Sequence, residues 1–481
     1  MLCLIYPEEQ EYLDTLMDII YALCDEYTWC QPAHQGKLEP NNNTRIDLSA
    51  SILASTLAEV YLMLGDRLEP LIVNRLKAEV DRRVIIPFSS VENYGWWEKG
   101  IMNWTAVCVG NVAIATMILR PDIADKAFID RITASLDSYL TGFAPDGVCY
   151  EGCGYWSYGF TNFVKCADVL RRYTEGKVDY FAREKVKKIA SFYQKTFISD
   201  NASVSFSDCG GALTLTYPLA LMHYLKKEYP DDILVYDPKY ASSDHTEFRG
   251  FCWTDEEIYN DPATNSTPFE LYSPEASWLI KKTPKYGFAA KGGDNNEFHN
   301  HNDVGAFIYA KNGQQILSDI GGGIYTRQYF SKDTRYGILE CSGYGHSVPI
   351  IGGETQKFGK EFAAKDFCYA NGMLTMDISG AYALPELPSL TRRFIFEDDG
   401  VTLTDRFEYT GQGELVCRLI SVREATLTEA GRVEIEDAVI TYDPEKADCS
   451  ISVEESSRGF SVNKIDFKLK DGVKEFSCSV R

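Results

Sequence analysis

Three of the six histidines in this chain fall between residues 299 and 346. His299 and His301 are separated by one residue, and a carboxylate and a third imidazole follow at Asp319 and His346. Two imidazoles and a carboxylate are an ordinary zinc donor set that leaves one coordination position over. Residues 303–310 are rich in β-formers, and side chains two apart on a strand share a face, so His299 and His301 are predicted to project together. The alternative is that this histidine pair caps a turn or forms local hydrogen bonds.

Two stretches in the first half of the chain combine aromatic, amide and acidic side chains. Residues 96–105 contain three tryptophans and Asn103, where a helix is predicted to begin. Residues 144–158 place glycines among aromatic and acidic residues, a pattern typical of loops that are costly to hold and often functional. The structural alternative is that the tryptophans fill a core, that Asn103 caps a helix and that the glycines turn a corner.

The composition limits the class of protein. A chain of 481 residues is expected to form two or three domains. Its 30 tyrosines and 7 tryptophans exceed what packing demands and are common in sugar-binding clefts, where a ring face meets a pyranose. The net charge of −22 argues against a nucleic-acid partner. An acidic substrate stays open, because a basic cleft fits within an acidic protein.

Cysteines and apolar runs bear on where the protein acts. The 14 cysteines show no short repeated spacing, so reduced and mostly buried thiols are expected rather than a disulfide framework. The N-terminus lacks the features of a signal peptide, and the longest apolar run, residues 107–119, is broken by Asn111 and too short to span a bilayer. A cytoplasmic protein with no membrane partner is predicted, provided that the N-terminus is not trimmed.

Hydrophobic periodicity separates a helical half from a β half. Short connections make neighbouring helices antiparallel, so a run this long must curl into a solenoid or close into a toroid. A connection between domains is predicted from about residue 228, and from about 277 the period changes to two. The predicted helices cover residues 8–27, 46–64, 68–84, 100–119, 123–140, 155–174, 180–196 and 211–227.

Turn signals punctuate the β half. The pair Asn312-Gly313 predicts a hairpin between residues 303–310 and 315–317. Asp399-Gly400 joins alternating runs at 392–397 and 401–409, and more strands are predicted over 415–420 and 439–442. Many short strands with turn signals imply an antiparallel sandwich. The predicted fold is multidomain α and β, with a helical domain over residues 1–270 and a β-sandwich domain over 271–481.

These stretches together resemble the heparinase II/III-like family of polysaccharide lyases. The resemblance covers most of the chain, and it implies an N-terminal incomplete (α/α) toroid followed by a C-terminal antiparallel β-sandwich. It also implies an acidic polysaccharide or oligosaccharide as substrate. The motifs that carry it, in order, are Asn103-Trp104, Asp146-Gly147, Glu151-Gly152 with Tyr155 and Tyr158, His299-x-His301-x-Asp303, Ser318-Asp319 and Gly345-His346-Ser347.

The resemblance implies β-elimination at a uronic-acid residue. That reaction needs a group to neutralise the carboxylate, a base for the C5 proton and an acid for the departing O4. Carried over to this sequence, Asn103 would hold the carboxylate, Tyr158 would be the principal acid/base and His299 would face the cleft. Some family members have a histidine beside or in place of the neutralising asparagine, whereas the neighbour here is Trp104, which leaves the range of accepted sugars open.

Three further residues are candidates for support. Tyr155 lies one helical turn before Tyr158 and is its rival as the acid/base. Arg335 would provide the positive charge that a tyrosine of ordinary pKa, about 10, needs nearby in order to act as a base. Tyr336 would be a second proton donor.

The resemblance also implies the metal ligands. His301, Asp319 and His346 match the zinc ligands of the family, with gaps of 18 and 27 residues (319 − 301 and 346 − 319). One zinc ion with a structural role is therefore predicted, in agreement with the ligand types.

Two other functions stay open. A glycoside hydrolase on a helical toroid would need two carboxylates about 5–10 Å apart, and Asp146 and Glu151 are the candidates. A non-catalytic carbohydrate-binding or scaffold protein would keep the fold without the chemistry. The identity of the uronic acid and the oligomeric state, with a homodimer as one option, are not set by the sequence.

Overall fold

The computed structural model describes residues 1–35, 42–213, 217–241 and 248–481. By contacts, the chain divides into two compact units. The helical unit comprises Met1–Phe143 and Trp156–Lys187, and the β-rich unit comprises Ala144–Tyr155 and Lys188–Arg481. These units do not coincide with the predicted division at residue 270, which stays a prediction about domains, as does the closing of the helices into a toroid.

The helices agree with the periodicity along most of the chain. Predicted helices are confirmed by α2, α3, α4, α6, α7 and α9, with ends that differ by a few residues, and a π-helical turn at Trp156–Phe160 precedes α9. In chain order the helices are α1 Leu2–Ile5, α2 Gln10–Asp25, α3 Leu48–Leu64, α4 Pro70–Val80, α5 Ile86–Ser89, α6 Asn103–Leu119, α7 Lys126–Thr141, α8 Cys153–Tyr155, α9 Thr161–Tyr173, α10 Glu184–Phe192, α11 Leu219–Glu228, α12 Phe248–Trp253, α13 Glu256–Asn260 and α14 Lys332–Arg335.

Helix α6 is the centre of the helical unit. It is apolar on all sides and almost entirely buried, as expected of a helix surrounded by others. It packs against α3, α7 and α9. A buried polar chain crosses three of these helices: Ser55 donates to Asn111 Oδ1 at 2.5 Å, and Asn111 donates to Asn162 Oδ1 at 2.8 Å. In the described residues, no helix is both long and apolar enough to cross a membrane.

Two local expectations need correction. The helix predicted over 211–227 begins at Leu219, and residues 214–216 of that prediction lie outside the described part of the chain. The connection predicted from about 228 contains the short helices α12 and α13. Two short strands already occur between residues 197 and 203, and the run of strands that follows the connection begins at Phe269 rather than near 277. Asp255 caps α13 by accepting from two backbone amides, which explains helix formation in a stretch dominated by Asp, Pro and Ser.

The strands of the β-rich unit pair in antiparallel fashion. The main sheets have the orders β11-β12-β13-β14-β21-β18-β17-β16, β19-β20-β15-β9 and β3-β4-β5-β7-β8. The strands are β1 Phe197–Ser199, β2 Ala202–Ser203, β3 Phe269–Ser273, β4 Trp278–Lys282, β5 Gly287–Lys291, β6 Asp294–Asn295, β7 Phe307–Lys311, β8 Gln314–Leu317, β9 Ile350–Ile351, β10 Gly359–Ala363, β11 Lys365–Ala370, β12 Met373–Asp377, β13 Ser389–Phe396, β14 Val401–Glu408, β15 Leu415–Ser421, β16 Ala425–Glu429, β17 Arg432–Ile435, β18 Ala438–Tyr442, β19 Ala447–Glu455, β20 Ser461–Leu469 and β21 Glu475–Val480.

Both predicted hairpins are confirmed. Strands β7 and β8 pair from Lys311 to Gln314, and the two residues between them, Asn312 and Gly313, have φ of 49° and 77°. Positive φ at both positions is what a two-residue type I′ turn requires, and Asn-Gly is its preferred sequence. Strands β13 and β14 likewise pair along their whole length.

A buried ion pair crosses the largest sheet between β13 and β14. Arg392 lies opposite Asp405 in the register, and both side chains are fully buried. The guanidinium donates to the carboxylate at 2.8 and 2.7 Å, and its remaining nitrogen donates to the carbonyls of Gly305 and Ser347 at 2.8 and 2.6 Å. Ser347 follows His346, so this pair also fixes a segment that carries a candidate metal ligand.

We expect Asp405→Ala to lower the free energy of unfolding by about 3–5 kcal/mol, because it leaves the Arg392 guanidinium buried without its counter-charge. Chemical denaturation followed by circular dichroism measures the change. The control is Asp130→Ala, which removes the exposed partner of Lys126 and should cost less than about 1 kcal/mol. Equal costs for the two variants would contradict the expectation.

Candidate active site and metal centre

The three predicted metal ligands lie together inside the β-rich unit. His301, Asp319 and His346 are 0%, 2% and 1% exposed, and one ligand atom from each lies within 4.8 Å of the other two. His301 Nδ1, Asp319 Oδ2 and His346 Nδ1 have no hydrogen-bond partner. Because buried polar atoms normally have partners, three such atoms in one buried cluster form a group that could hold a metal ion.

The hydrogen bonds around the cluster fix the form of the two imidazoles. His346 Nε2 lies 2.8 Å from the carbonyl oxygen of Glu340, which only accepts, so this nitrogen carries the hydrogen and Nδ1 presents its lone pair. Asp319 Oδ2 lies 3.3 Å from that Nδ1, while Oδ1 accepts from the backbone of Gly321. Two acceptors this close repel each other unless a proton or a metal ion lies between them.

The donor set fits zinc. Bonds of about 2.0 Å in a tetrahedral site put neighbouring ligand atoms about 3.3 Å apart, which is the separation found between His346 and Asp319. At His301, Nε2 contacts the Asp208 carboxylate at 3.0 Å, so Nδ1 is free to bind a metal, as in carboxylate–histidine–zinc arrangements. Burial lowers the pKa of His301, but the hydrogen bond to Asp208 raises it to about 10, so a metal ion bound here would have to displace the proton on Nδ1.

A second group with ligand atoms within 4.8 Å of one another is formed by Asp208, His301 and Cys341. We favour the group of His301, Asp319 and His346 as a metal centre. The oxygens of Asp208 already accept hydrogen bonds, whereas His301 Nδ1, Asp319 Oδ2 and His346 Nδ1 have no hydrogen-bond partner. Asp303, the last residue of the His299-x-His301-x-Asp303 motif, accepts from the buried Lys291 at 2.9 Å and belongs to neither group.

The prediction that a strand aligns His299 with His301 is wrong. Both residues lie in the loop between β6 and β7, and His299 has a φ of 60°, in the left-handed region that excludes a regular strand. The two imidazoles nevertheless reach the same side chain: His299 Nδ1 lies 2.9 Å from Asp208 Oδ2, and His301 Nε2 lies 3.0 Å from Asp208 Oδ1. A tight loop, rather than strand alternation, brings them together.

Asp208 lies at the centre of this candidate site and was missed by sequence reasoning. Besides the two imidazoles, its Oδ1 accepts from Arg335 at 2.9 Å and from the hydroxyl of Tyr329. Burial raises the pKa of Asp208, but the hydrogen bonds from His299 and His301 outweigh it and hold that pKa well below its usual range. No motif marked this aspartate, because it lies 91 residues from His299 in the sequence.

His299 is enclosed by aromatic and acidic groups of the β-rich unit. Its ring stacks on Tyr155 with centroids 3.6 Å apart, and its Nε2 lies 3.7 Å from Glu151 Oε2. The Tyr155 hydroxyl forms a 2.6 Å hydrogen bond with that of Tyr325, and burial raises the pKa of Tyr155. Tyr155 therefore holds the imidazole in place and is poorly suited to lose its proton.

The supporting residues Arg335 and Tyr336 lie beside this cluster. Arg335 pairs with Asp208 and donates to the carbonyl of Asn300 at 3.0 Å. Its charge is thus balanced within the cluster. Tyr336 donates to Asn300 Oδ1 at 2.9 Å, and burial raises the pKa of Tyr336 to about 12 although Arg335 pulls it down.

In the helical unit the structure brings Asn103 next to the turn that carries Tyr158. Asn103 is the first residue of α6 and is fully buried. A Cβ on Gly159 would lie 3.0 Å from that of Asn103 and 2.8 Å from the hydroxyl of Tyr139, so only glycine allows the two segments to approach this closely. The side chain of Asn162 donates to the Tyr158 carbonyl at 2.9 Å, which ties the turn to the polar chain at the centre of the unit.

Tyr158 lines a groove of about 330 Å³, with Gln31 and one side of α3 as its other walls. Beside Asn103, Trp104 contacts Trp96 at 5.2 Å and His34 at 4.8 Å between ring centroids. Trp96 is 62% exposed. The helical unit therefore presents a phenol at a groove and an exposed indole ring, groups that suit a sugar, while the Asn103 amide is buried.

The two candidate hydrolase carboxylates have other contacts. Asp146 Oδ1 accepts from the backbone of Val148 at 3.3 Å and so forms part of its own turn. Glu151 is buried and faces His299. Neither contact favours a pair of carboxylates flanking a glycosidic bond.

We expect the chain, after metal removal, to bind one zinc ion, because a cation relieves the repulsion between Asp319 and His346. Zinc at 100 times its Kd should raise the free energy of unfolding by about 2.7 kcal/mol. Asp319→Ala and His346→Ala should abolish both effects, whereas His34→Ala, in the helical unit, should keep them. Elemental analysis after dialysis measures the zinc content, and thermal unfolding measures the stabilisation. Equal zinc content in the parent chain and the three variants would contradict the assignment.

Comparison with known proteins gives the fold. No protein-family model and no curated protein matches the sequence. A heparinase III crystal structure matches with a TM-score of 0.70 at 13% identity, covering 98% of this chain and 73% of that chain. A mutant of the heparan sulfate lyase HepC from Pedobacter heparinus matches with a TM-score of 0.68 at 13% identity, covering 98% of this chain and 73% of that chain. The Streptomyces coelicolor A3 chondroitin AC lyase in complex with chondroitin sulphate matches with a TM-score of 0.61 at 12% identity, covering 98% of this chain and 71% of that chain. This chain therefore has the fold of heparinase III and chondroitin AC lyase.

Proposed function

We propose that this protein is a polysaccharide lyase that cleaves a uronic-acid-containing polysaccharide or oligosaccharide by β-elimination. The observation that carries the proposal is the close approach of the buried Asn103 to the turn bearing Tyr158, a residue that lines a groove. The fold adds support, because the structures that share it along almost the whole chain are lyases of heparan sulfate and chondroitin.

The first requirement of the reaction is to make the C5 proton acidic. The uronate carboxylate delocalises the charge that develops when this proton leaves, provided that its own negative charge is offset. The Asn103 amide is the group we assign to this role, since it donates hydrogen bonds without adding charge. Its position at the buried start of α6 holds it rigidly, so little reorganisation is needed when charge develops.

The second requirement is proton transfer. In the proposed step the C5–H and C4–O4 bonds break, a C4=C5 double bond forms, and O4 leaves with a proton. Tyr158 is assigned as the group that takes the C5 proton and returns it to O4. His299 is assigned as a further proton-handling group, because Asp208 contacts its Nδ1 and Glu151 Oε2 lies 3.7 Å from its Nε2.

Tyr155, the rival acid/base, is assigned a supporting role. It stacks on His299 and shares its hydroxyl with Tyr325, so its contacts orient the imidazole. Arg335 supports the same imidazole through Asp208 rather than by direct contact with a tyrosine base.

Zinc is proposed as a structural cofactor held by His301, Asp319 and His346. When bound, the ion would neutralise Asp319 and join three segments that are distant in sequence, a structural rather than a catalytic contribution.

We expect ultraviolet absorbance to increase when the chain is incubated with heparan sulfate, hyaluronan, chondroitin or alginate. Elimination creates a C4=C5 double bond conjugated with a carboxylate, and this product absorbs ultraviolet light. Asn103→Ala, Tyr158→Phe and His299→Ala should each lower kcat/KM at least about 100-fold, since each removes a group acting in the transition state. Continuous absorbance at several substrate concentrations gives kcat and KM.

The matched control for Tyr158→Phe is Tyr173→Phe, which also removes a phenol hydroxyl from the helical unit and should leave kcat/KM within about threefold. Reducing ends formed without an absorbance gain would indicate hydrolysis and reject elimination. Binding without turnover in the parent chain, on every acidic polysaccharide tested, would instead indicate a carbohydrate-binding protein.

A further inference from the structure

One carboxylate serves both the candidate proton-handling imidazole and a candidate metal ligand. The side chain of Asp208 is fully buried, and each of its oxygens contacts one of the two histidines, at 2.9 Å for His299 and 3.0 Å for His301. Arg335 and Tyr329 complete its hydrogen bonds. No other described carboxylate contacts both imidazoles within hydrogen-bond distance.

The contacts of Asp208 select one form of each imidazole. An ionised carboxylate only accepts, so His299 carries its hydrogen on Nδ1 and His301 carries its hydrogen on Nε2. In the neutral form the lone pair of His301 is thereby directed to Nδ1, a buried atom without a hydrogen-bond partner. At His299 the same constraint places the ring hydrogen on Nδ1, and Nε2 lies 3.7 Å from Glu151 Oε2.

The backbone around this contact is held in costly conformations. Ser207, directly before Asp208, has a φ of 68°, and His299 has a φ of 60°. Non-glycine residues adopt this left-handed region at a cost of order 1 kcal/mol or more and persist there when the surroundings over-determine them. A Cβ on Gly322 would lie 3.0 Å from the Asp208 Cα, so the loop opposite is also shaped to admit this residue. These backbone conformations are observed independently of the hydrogen bonds, and they lie on both sides of the contact between Asp208 and His299.

We propose that Asp208 is a positioning residue that couples the metal centre to His299, by orienting His301 for the metal and His299 for proton transfer. The second half of this inference rests on the proposed function, whereas the first half concerns metal binding alone. Metal affinity and catalytic turnover thus depend on one side chain that contacts neither metal nor substrate.

The test is Asp208→Asn in the full chain. The amide keeps the size of the carboxylate, but its NH2 group faces one imidazole N–H and forces that ring into the other tautomer; an equivalent substitution behind a catalytic histidine is known to leave geometry intact and lower turnover strongly. We expect zinc affinity, measured by competition with a chromogenic chelator, to fall 10–100-fold. We expect kcat on the best acidic polysaccharide to fall at least about 100-fold with KM within about threefold.

If Asp208 had only a structural role, its substitution would not change the tautomers of His299 and His301. The tautomers of these two imidazoles are therefore the decisive measurement. The chain has only six histidines, which makes selective ¹⁵N-imidazole labelling practical, and His299→Gln and His301→Gln assign two of the signals. The control is Asp168→Asn, which replaces another buried carboxylate that pairs with arginine, in the helical unit. It should leave zinc affinity and the ¹⁵N signals of His299 and His301 unchanged.

Each outcome decides the proposal. Weakened zinc binding with a changed tautomer at His299 or His301, in a variant with the parent circular dichroism spectrum, supports it. Unchanged zinc affinity and unchanged tautomers overturn it, as does a parent chain that binds no zinc. Weakened zinc binding and changed tautomers in a chain that acts on no acidic polysaccharide support the positioning role and reject the proposed lyase function, so the two failures are distinguishable.

Discussion

The β-rich unit depends on the compensation of buried charge around Asp208. An ionised carboxylate removed from water is tolerable only when its oxygens are fully hydrogen-bonded. Asp208 meets this condition with two imidazoles, a guanidinium and a phenol. The donors come from two segments, the loop between β6 and β7 and residues 329–335, so the carboxylate determines the path of both segments as much as they determine its ionisation. The cluster of His301, Asp319 and His346 follows from the orientation that Asp208 imposes on His301.

A second polar system has the same effect in the helical unit. Asn111 lies at the middle of an otherwise apolar helix, where an unpaired amide would be costly. It is satisfied by the side chains of Ser55 and Asn162 and by its own helix, and Asn162 in turn holds the carbonyl of Tyr158. The π-helical turn at Trp156–Phe160, a feature often found at functional sites, is thereby fixed against α6. In each unit a buried polar network, rather than apolar packing, places the residues assigned to chemistry.

Shared fold and local chemistry are separate lines of argument. At 11–13% identity the similarity to heparinase III and chondroitin AC lyase fixes the arrangement of the chain but transfers no activity. What supports elimination is the set of groups: an amide, a phenol and an imidazole, none of which suits the two-carboxylate chemistry of glycoside hydrolases. The glutamate that hydrolysis would require, Glu151, instead faces an imidazole.

The sequence alone determined the features governed by local spacing. Helical periodicity located α3 and α6, and the pair Asn312-Gly313 located a hairpin whose turn is type I′. The family resemblance implied His301, Asp319 and His346 as metal ligands, and the structure groups these three residues together. The tertiary structure decided the rest, because it depends on contacts between residues far apart in the chain. Asp208 has no local signature, and its partners lie 91 to 127 residues away. His299 was predicted on a strand, but the need to reach Asp208 holds it in a left-handed loop, an outcome that alternation of side chains does not foresee.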